Sequence, residues 1–295
     1  MPQTITDIYL PRQAKVVQIE IENSQISTFV LAFSAPLFNE NFRYQPGQFM
    51  LVSMPHCGEA PISISSTPTR PGTIHLSVRR AGKLTNAMHG LRVGDTLGLR
   101  GPYGRPFPMK ELQGRDLLFV AGGIGLAPLR AVINACLDQE RFGALTVLYG
   151  SRTPSDIAFQ DDLALWQQQG VDCRLTVDAA EAGWAGAVGL VTCLMDGLTP
   201  DLSRSTALVC GPPLMFKAVL GKLAAMGFSD EQVLTTMERH MKCGVGICRH
   251  CHMDGKLACV DGPVFSLAEL RRLKIMELAE APASAARTST TDHLR

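Results

Sequence analysis

Short runs in which apolar and polar positions alternate fill residues 14 to 108: KVVQIEIE, TFVLAFS, QFMLVSM, PISISS, TIHLSVR and DTLGLRG, separated by Gly, Pro and Asn turns. A period of two places successive side chains on opposite faces of a strand. Six such runs, with hardly a helical stretch between them, predict an antiparallel β-barrel or sandwich. From residue 115 the rhythm changes. DLLFVAGG leads into PLRAVINACLDQ, ALTVLYGSR into FQDDLALWQQQ, VDCRLTVD into GLVTCLMDGL, and STALVCGPP into LMFKAVLGKLAAMG. Strand, glycine turn and helix recur in the order that builds an α/β domain with a parallel sheet. A short last strand is expected at EQVLTTM and a helix at SLAELRRLKIMELAE. The fold class expected is therefore multidomain: a barrel over residues 1–112, a parallel-sheet α/β domain over 113–236, a cysteine-rich segment over 237–273, and over 274–295 the end of the last helix and a disordered polar tail.

The chain has 295 residues, enough for two or three domains that each bury a core. Its formal charge is +1 and it has no basic run interleaved with aromatics, which argues against a nucleic-acid partner. The N-terminus lacks an apolar core of signal-peptide length behind a basic end, so the expected location is the cytoplasm. LLFVAGGIGLAPL, the longest nearly apolar run, is too short and too rich in glycine to span a bilayer. Nine cysteines is an odd count, and Cys57, Cys136, Cys173, Cys193 and Cys210 are scattered singly. That pattern argues against a disulfide framework and for a reducing compartment. The other four, Cys243, Cys248, Cys251 and Cys259, fall within seventeen residues and call for a ligand.

LLFVAGGIGLAPLRAV sets Gly122, Gly123 and Gly125 at the end of a buried strand, with Pro128 in the first turn of the helix that follows. Glycines let a backbone approach a pyrophosphate closely, and the helix N-terminus offers free N–H groups and a positive dipole end. The third glycine of the usual dinucleotide fingerprint is replaced by proline, and a tight turn without a ligand would carry the same residues. At the tip of the next strand stand Ser151 and Arg152, where an acidic residue would otherwise hold a ribose 2′-hydroxyl. An arginine there suits a 2′-phosphate, which tilts the expectation toward NADP over NAD. In ALVCGPPLM, Gly211 and Pro212 leave room for a flat ring at a strand end; Cys210 beside them is either within reach of it or a buried small hydrophobe.

The four clustered cysteines follow C-x4-C-x2-C-x7-C. Structural zinc sites usually use two separated C-x2-C knuckles, whereas x4 followed by x2 matches the loop that wraps a plant-type [2Fe–2S] cluster. Gly244 and Gly246 would permit the positive-φ turns such a loop requires. Zinc and inert core thiols remain as alternatives. Charges around the segment are mostly positive: Lys242, Arg249, His250, His252, Lys256, Arg271, Arg272 and Lys274. They form either a solvated loop or a rim that docks an acidic face of a partner.

The order of these parts, barrel, then GGIGLAP, then CGPPLM, then CGVGICRHC and CVDGPVFS, resembles the ferredoxin-NADP reductase superfamily. The resemblance runs from residue 12 to 275. It is strongest to the branch that holds hydrogenase and sulfhydrogenase gamma (diaphorase) subunits, together with the electron-transfer subunits of anaerobic sulfite reductase and of dihydroorotate dehydrogenase. It implies FAD, a [2Fe–2S] cluster on the four cysteines and NAD(P). Flavin contacts are implied at Pro61, Ile62, Ser63 and Ile64 and at Ser77, Val78, Arg79, Gly82, Lys83, Leu84 and Thr85. Nucleotide contacts are implied at Gly122, Gly123, Gly125, Ser151, Arg152, Cys210, Gly211 and Pro212. Where the superfamily shows Arg-x-Tyr-Ser/Thr, this chain has Ala60, Pro61, Ile62 and Ser63, so the stacking ring and the phosphate-pairing arginine are missing; Arg79 or Arg80 is a candidate replacement. Ser63 and Cys210 are the expected positioning groups for hydride transfer. With no motif for terminal chemistry, the chain reads as one subunit that feeds or drains a catalytic partner, first a cytoplasmic nickel–iron hydrogenase. Alternatives are sulfite reductase or dihydroorotate dehydrogenase as that partner, a redox sensor, or a zinc-stabilised flavin reductase working alone.

Overall fold

The computed structural model describes residues 8–273. The first sheet is built from β1 (Arg12–Ile21), β2 (Ile26–Phe33), β3 (Phe49–Met54), β4 (Gly58–Ser63), β5 (Ile74–Arg79) and β6 (Thr96–Tyr103), with short helices α1 (Pro36–Asn41) and α2 (Lys83–Met88) in its connections. Every pairing is antiparallel, in the spatial order β4-β3-β6-β1-β2-β5. The two edge strands meet only at a single bridge, Ile64 to Leu76, so the sheet curls toward a barrel without closing its ladder. That corrects the expected barrel in detail. Phe29, Leu31, Met50, Val52, Leu76 and Leu97 fill the interior of this sheet.

The second sheet begins with β7 (Asp116–Gly122), α3 (Leu126–Gln139), β8 (Leu145–Ser151), α4 (Gln160–Gln168), β9 (Asp172–Val177) and the two-residue β10 (Ala187–Val188). It continues through β11 (Ser205–Cys210), α5 (Pro213–Ala225) and β12 (Val233–Thr236). After the hairpin β13 (His252–Met253) and β14 (Lys256–Leu257), β15 (Val264–Ser266) returns to the sheet, followed by α6 (Leu267–Arg271). The strand order is β10-β9-β8-β7-β11-β12-β15, parallel throughout except for the last pair. Order therefore reverses between β7 and β11, the switch point at whose carboxyl ends an open α/β sheet leaves a crevice.

Two sequence expectations need correction. GLVTCLMDGL forms only a 3-10 turn over Val191–Met195: Gly189 and Gly197, both at positive φ, stop a helix on either side. β15 lies outside the expected strands, because three residues are too few to show a period. The expected last helix forms over Leu267–Arg271, Arg272 and Leu273 leave it in a turn and a bend, and the remainder of that expectation, with the tail, lies outside the described residues.

The two sheets are held together by buried polar contacts. Arg130 of α3 pairs with Asp162 of α4 at 2.7 Å and extends Nη1 to the Ser65 carbonyl (3.4 Å) and to Nδ1 of His75 (3.3 Å), both belonging to the first sheet's side of the junction. A guanidinium can only donate. His75 Nδ1 therefore accepts, and the ring is neutral. Burial, reinforced by Arg130 and Arg70, pulls the His75 pKa from 6.5 down to about 4. On acidification the unfolded chain takes up this proton first, so the contribution of neutral His75 is complete above about pH 6.5 and is lost as pH falls through about 4. Thermal unfolding scans between pH 7 and pH 4 should show the melting temperature of the wild type falling more steeply than that of His75→Gln; parallel slopes would refute the assignment.

Candidate functional site

At the carboxyl ends of β7 and β11 two loops touch. The register pairs Cys210 with Ala121, so the Gly122–Gly125 turn lies level with Gly211 and Pro212. A Cβ on Gly125 would collide with the Cys210 carbonyl, and one on Gly122 would stand 3.1 Å from Pro212 Cδ. The glycines are thus required by the approach of the two loops, whatever else binds there. Ser151 ends β8 on the other side of β7, with its side chain buried, while Arg152 is exposed. The amides of Asp178 and Ala179 donate to the carbonyls of Ser151 and Arg152, which fixes this loop tip. All eight positions expected to meet a nucleotide therefore border one crevice end of the sheet.

Cys210 is 5% exposed. Thr236 Oγ1 donates to its sulfur at 2.8 Å, and burial pushes the thiol up to about 12. It is a neutral thiol at working pH, held in one orientation from the neighbouring strand. Burial thus favours the neutral thiol over the thiolate.

The positions expected to meet the flavin also adjoin one another, for the Ile64–Leu76 bridge sets the end of β4 against β5, and α2 follows β5 directly. Their side chains divide. Ile64, Val78 and Leu84 are buried in the first core, and the Ser77 hydroxyl lies in a buried chain with Thr28 and Ser65, 2.8 Å from each. From these four positions only backbone remains for a cofactor. The Thr85 hydroxyl accepts from the amides of Ala81 and Gly82 at 2.9 Å, closing the turn that starts α2; it shapes the loop instead of presenting a free donor. Pro61, Ile62 and Ser63 are partly exposed on β4, and Arg79, Gly82 and Lys83 are exposed. Exposed arginines beside a glycine turn and the open start of a helix are a donor set that fits a diphosphate.

The cysteine segment packs where both sheets meet. Gly244 (φ +75°) and Gly246 (φ +82°) have the expected left-handed geometry. A Cβ on Gly244 would lie 2.8 Å from Leu51 of β3 and from Tyr103 of β6, so the loop presses directly on the first sheet. Cys251 and Cys259 join a core that also contains Leu51, Val120, Val209 and Phe265, drawn from both sheets. Cys243, Cys251 and Cys259 are buried and Cys248 is exposed. The Cys248 amide donates to Cys243 Sγ at 3.4 Å. Cys248 is lowered to about 7, first by a backbone N–H at His250, whereas burial and then the Cys251 thiol raise Cys259 to about 12. Among the described residues no three His, Cys, Asp or Glu groups are arranged to enclose a single metal ion. A two-iron cluster spreads its four thiolates over two centres, and amide donors to sulfur are what such a group needs.

Sequence reasoning missed the residues that dock this segment. Arg100 of β6 donates to the carbonyls of Cys243 (3.2 Å) and Lys242 (3.4 Å). Arg105 donates to the Val264 carbonyl through Nε (2.8 Å) and Nη2 (2.6 Å) and pairs with Glu269, whose carboxyl this arginine holds down at about 2. No local pattern marks either arginine. Of the expected basic rim, Lys256 is paired with Asp261 and Arg271 with Asp230, while Arg249, His250 and His252 are exposed and Lys274 lies outside the described residues.

Comparison with known proteins agrees with this division. Residues 13–107 match the oxidoreductase FAD-binding domain, 119–220 the oxidoreductase NAD-binding domain, and 238–271 the iron-sulfur cluster binding domain of dihydroorotate dehydrogenase B. The sulfhydrogenase 2 subunit gamma of Pyrococcus furiosus is 37% identical over 275 residues, covering 88% of this chain and 95% of the relative. A probable dihydroorotate dehydrogenase B (NAD(+)) electron transfer subunit of Methanothermobacter thermautotrophicus is 35% identical over 268 residues, 90% of this chain and 92% of the relative. Among solved structures, an NADH-dependent reduced ferredoxin-NADP oxidoreductase superposes with a TM-score of 0.70 at 26% identity, over 91% of each chain. The FAD/NAD-binding domain of a Vibrio cholerae nitric oxide dioxygenase shares the fold at a TM-score of 0.68 and 21% identity, over 77% of this chain and 98% of that one. No helix among the described residues is long and apolar enough to cross a membrane. The chain belongs to the family of FAD-, NAD- and iron–sulfur-binding electron-transfer subunits that includes those of the sulfhydrogenases (gamma) and of dihydroorotate dehydrogenase B.

Proposed function

We propose that this subunit exchanges electrons with NAD(P)H at the crevice between β7 and β11 and with a catalytic partner through a [2Fe–2S] cluster on Cys243, Cys248, Cys251 and Cys259, the partner being first a nickel–iron hydrogenase. The observation that carries the reading is the asymmetry of the cysteine loop. Three cysteines are buried, Cys251 and Cys259 of them in the core shared by both sheets, and Cys248, beside the exposed Ile247, reaches the surface. One side of the site thus faces the two domains and the other is open to a partner, with Arg249, His250 and His252 around it. FAD supplies the conversion between the electron pair of a hydride and the single electrons that a cluster handles.

The chain's own residues bind, orient and exclude water. The Gly122–Gly125 turn and the start of α3 hold a diphosphate, and Arg152 favours a 2′-phosphate over a bare ribose. Ser63 on β4, and Cys210 at the end of β11 with Gly211 just beyond it, position the reacting rings. No residue need move a proton for hydride transfer. The near-equal identity to the electron-transfer subunits of dihydroorotate dehydrogenase B, and the match of residues 238–271 to their cluster domain, favour a dihydroorotate dehydrogenase as the second candidate partner.

Anaerobic purification should give about two irons and about two acid-labile sulfides per chain, together with FAD and steady NAD(P)H-dependent reduction of benzyl viologen. Zinc in place of iron, or intact cofactors without turnover, would sink the reading. Co-purification from the native organism then separates the partners: a nickel-containing subunit supports the hydrogenase, and a dihydroorotate-oxidising one overturns it in favour of the second candidate.

Cys210→Ala should slow flavin reduction by NAD(P)H on the order of tenfold through loss of orientation, with FAD and iron content unchanged. The wild-type rate should show no ionisation near the ordinary cysteine range of about 8.5, since burial holds this thiol at about 12. Stopped-flow rates that are equal in wild type and variant would remove Cys210 from the site.

A further inference from the structure

We infer that Arg100 is a positioning residue for the cluster: a buried cation of the flavin-binding domain that holds the Cys243 end of the cysteine loop and tunes the potential of the group bound there, with Glu59 as its counter-charge. The inference rests on Cys243 being a cluster ligand, as proposed above.

Arg100 is only 6% exposed. Its fork is fully engaged. Nε and Nη2 meet Glu59 Oε1 and Oε2 at 2.8 and 2.5 Å, a bidentate pair across the intervening strand β3. Nη1 donates to the Cys243 carbonyl at 3.2 Å and to the Ile8 carbonyl at 3.0 Å, with Tyr103 Oη at 3.4 Å, and Nη2 also reaches the Lys242 carbonyl at 3.4 Å. The guanidinium therefore lies between a carboxylate and the backbone of a ligand residue. Its positive side is turned toward the cysteine loop, and Glu59 sits behind it. A buried charge at this position is poorly screened by salt, and a cation beside a cluster favours the reduced, more negative form. Arg105 makes a comparable clamp to Val264 and Glu269 but is far more exposed and bonds to no cysteine residue. Docking alone therefore does not require a cation at Arg100's depth.

The test is an EPR-monitored redox titration of the intact holoprotein, with iron and sulfide counted in every sample. Arg100→Gln should make the cluster harder to reduce and Glu59→Gln easier. Each should change the reduced-to-oxidised ratio at fixed potential by about tenfold, or about 59 mV for a one-electron couple. Arg100→Lys keeps the charge but not the bidentate fork, so its shift should have the sign of Arg100→Gln and be clearly smaller. Opposite signs for the two neutral variants are the signature, because mere loosening of the loop would move both the same way. Shifts of equal sign, or no shift with iron and sulfide intact, would overturn the inference. If Arg100→Gln fails to retain its cluster, Glu59→Gln decides: a positive shift supports the inference and any other result refutes it. A wild-type protein without iron would instead bring down the ligand assignment, and the inference with it.

Discussion

The cysteine segment cannot fold on its own. Between β12 and α6 its only regular structure is the two-by-two hairpin of β13 and β14 and the three residues of β15, far too little to bury a core. It therefore borrows one. Cys251, Met253, Ala258 and Cys259 are packed with Phe49 and Leu51 from the first sheet and with Val120, Val209 and Phe265 from the second. This shared core binds the position of the proposed cluster to both domains at once. If either domain moved, the loop would lose part of its interior, so the three parts behave as one packed unit.

Two of the polar junctions between the parts are nearly buried. Arg130 with Asp162 faces His75 and Ser65 across the two sheets, and Arg100 with Glu59 faces the cysteine loop. Both use a nearly buried arginine whose carboxylate partner lies in its own domain and whose remaining N–H groups reach across. Such pairs contribute little net stability, since desolvation offsets much of the Coulomb gain. They contribute direction, because a planar fork accepts few orientations and an unmet buried donor is costly. Electron transfer between separate groups depends steeply on their spacing, which gives such fixed geometry a functional sense.

Much of the molecule was legible in the sequence because its signals are local. The period-two runs, the glycine turn after DLLFVA and the C-x4-C-x2-C spacing each state a backbone requirement within a few residues, and the structure places strand, turn and loop where those requirements fall. Side-chain roles were less legible. Ser77 and Thr85 have the right residue types to meet a cofactor, yet their hydroxyls serve a buried chain and a helix start. Sequence cannot tell which of two satisfied partners a hydroxyl has chosen. Arg100 and Cys243 are separated by 143 positions, and no periodicity links them. Val191–Met195 failed as a helix because the glycines on either side outweigh the apolar pattern between them.

The same long-range packing that hid these contacts explains how a chain with conventional parts acquires a distinctive site. Ala60 and Ile62 stand where the resemblance implies an arginine and an aromatic ring, so the expected flavin edge on β4 carries neither that charge nor that stacking surface. Immediately before them, Glu59 is turned away to engage Arg100, and through it the cysteine loop. The β4 strand thus presents its partly exposed Pro61, Ile62 and Ser63 to one neighbour and commits its only acidic residue to the other. The proposed flavin edge and the cysteine loop are thereby linked through one short strand, by way of the Glu59–Arg100 pair and the Cys243 carbonyl.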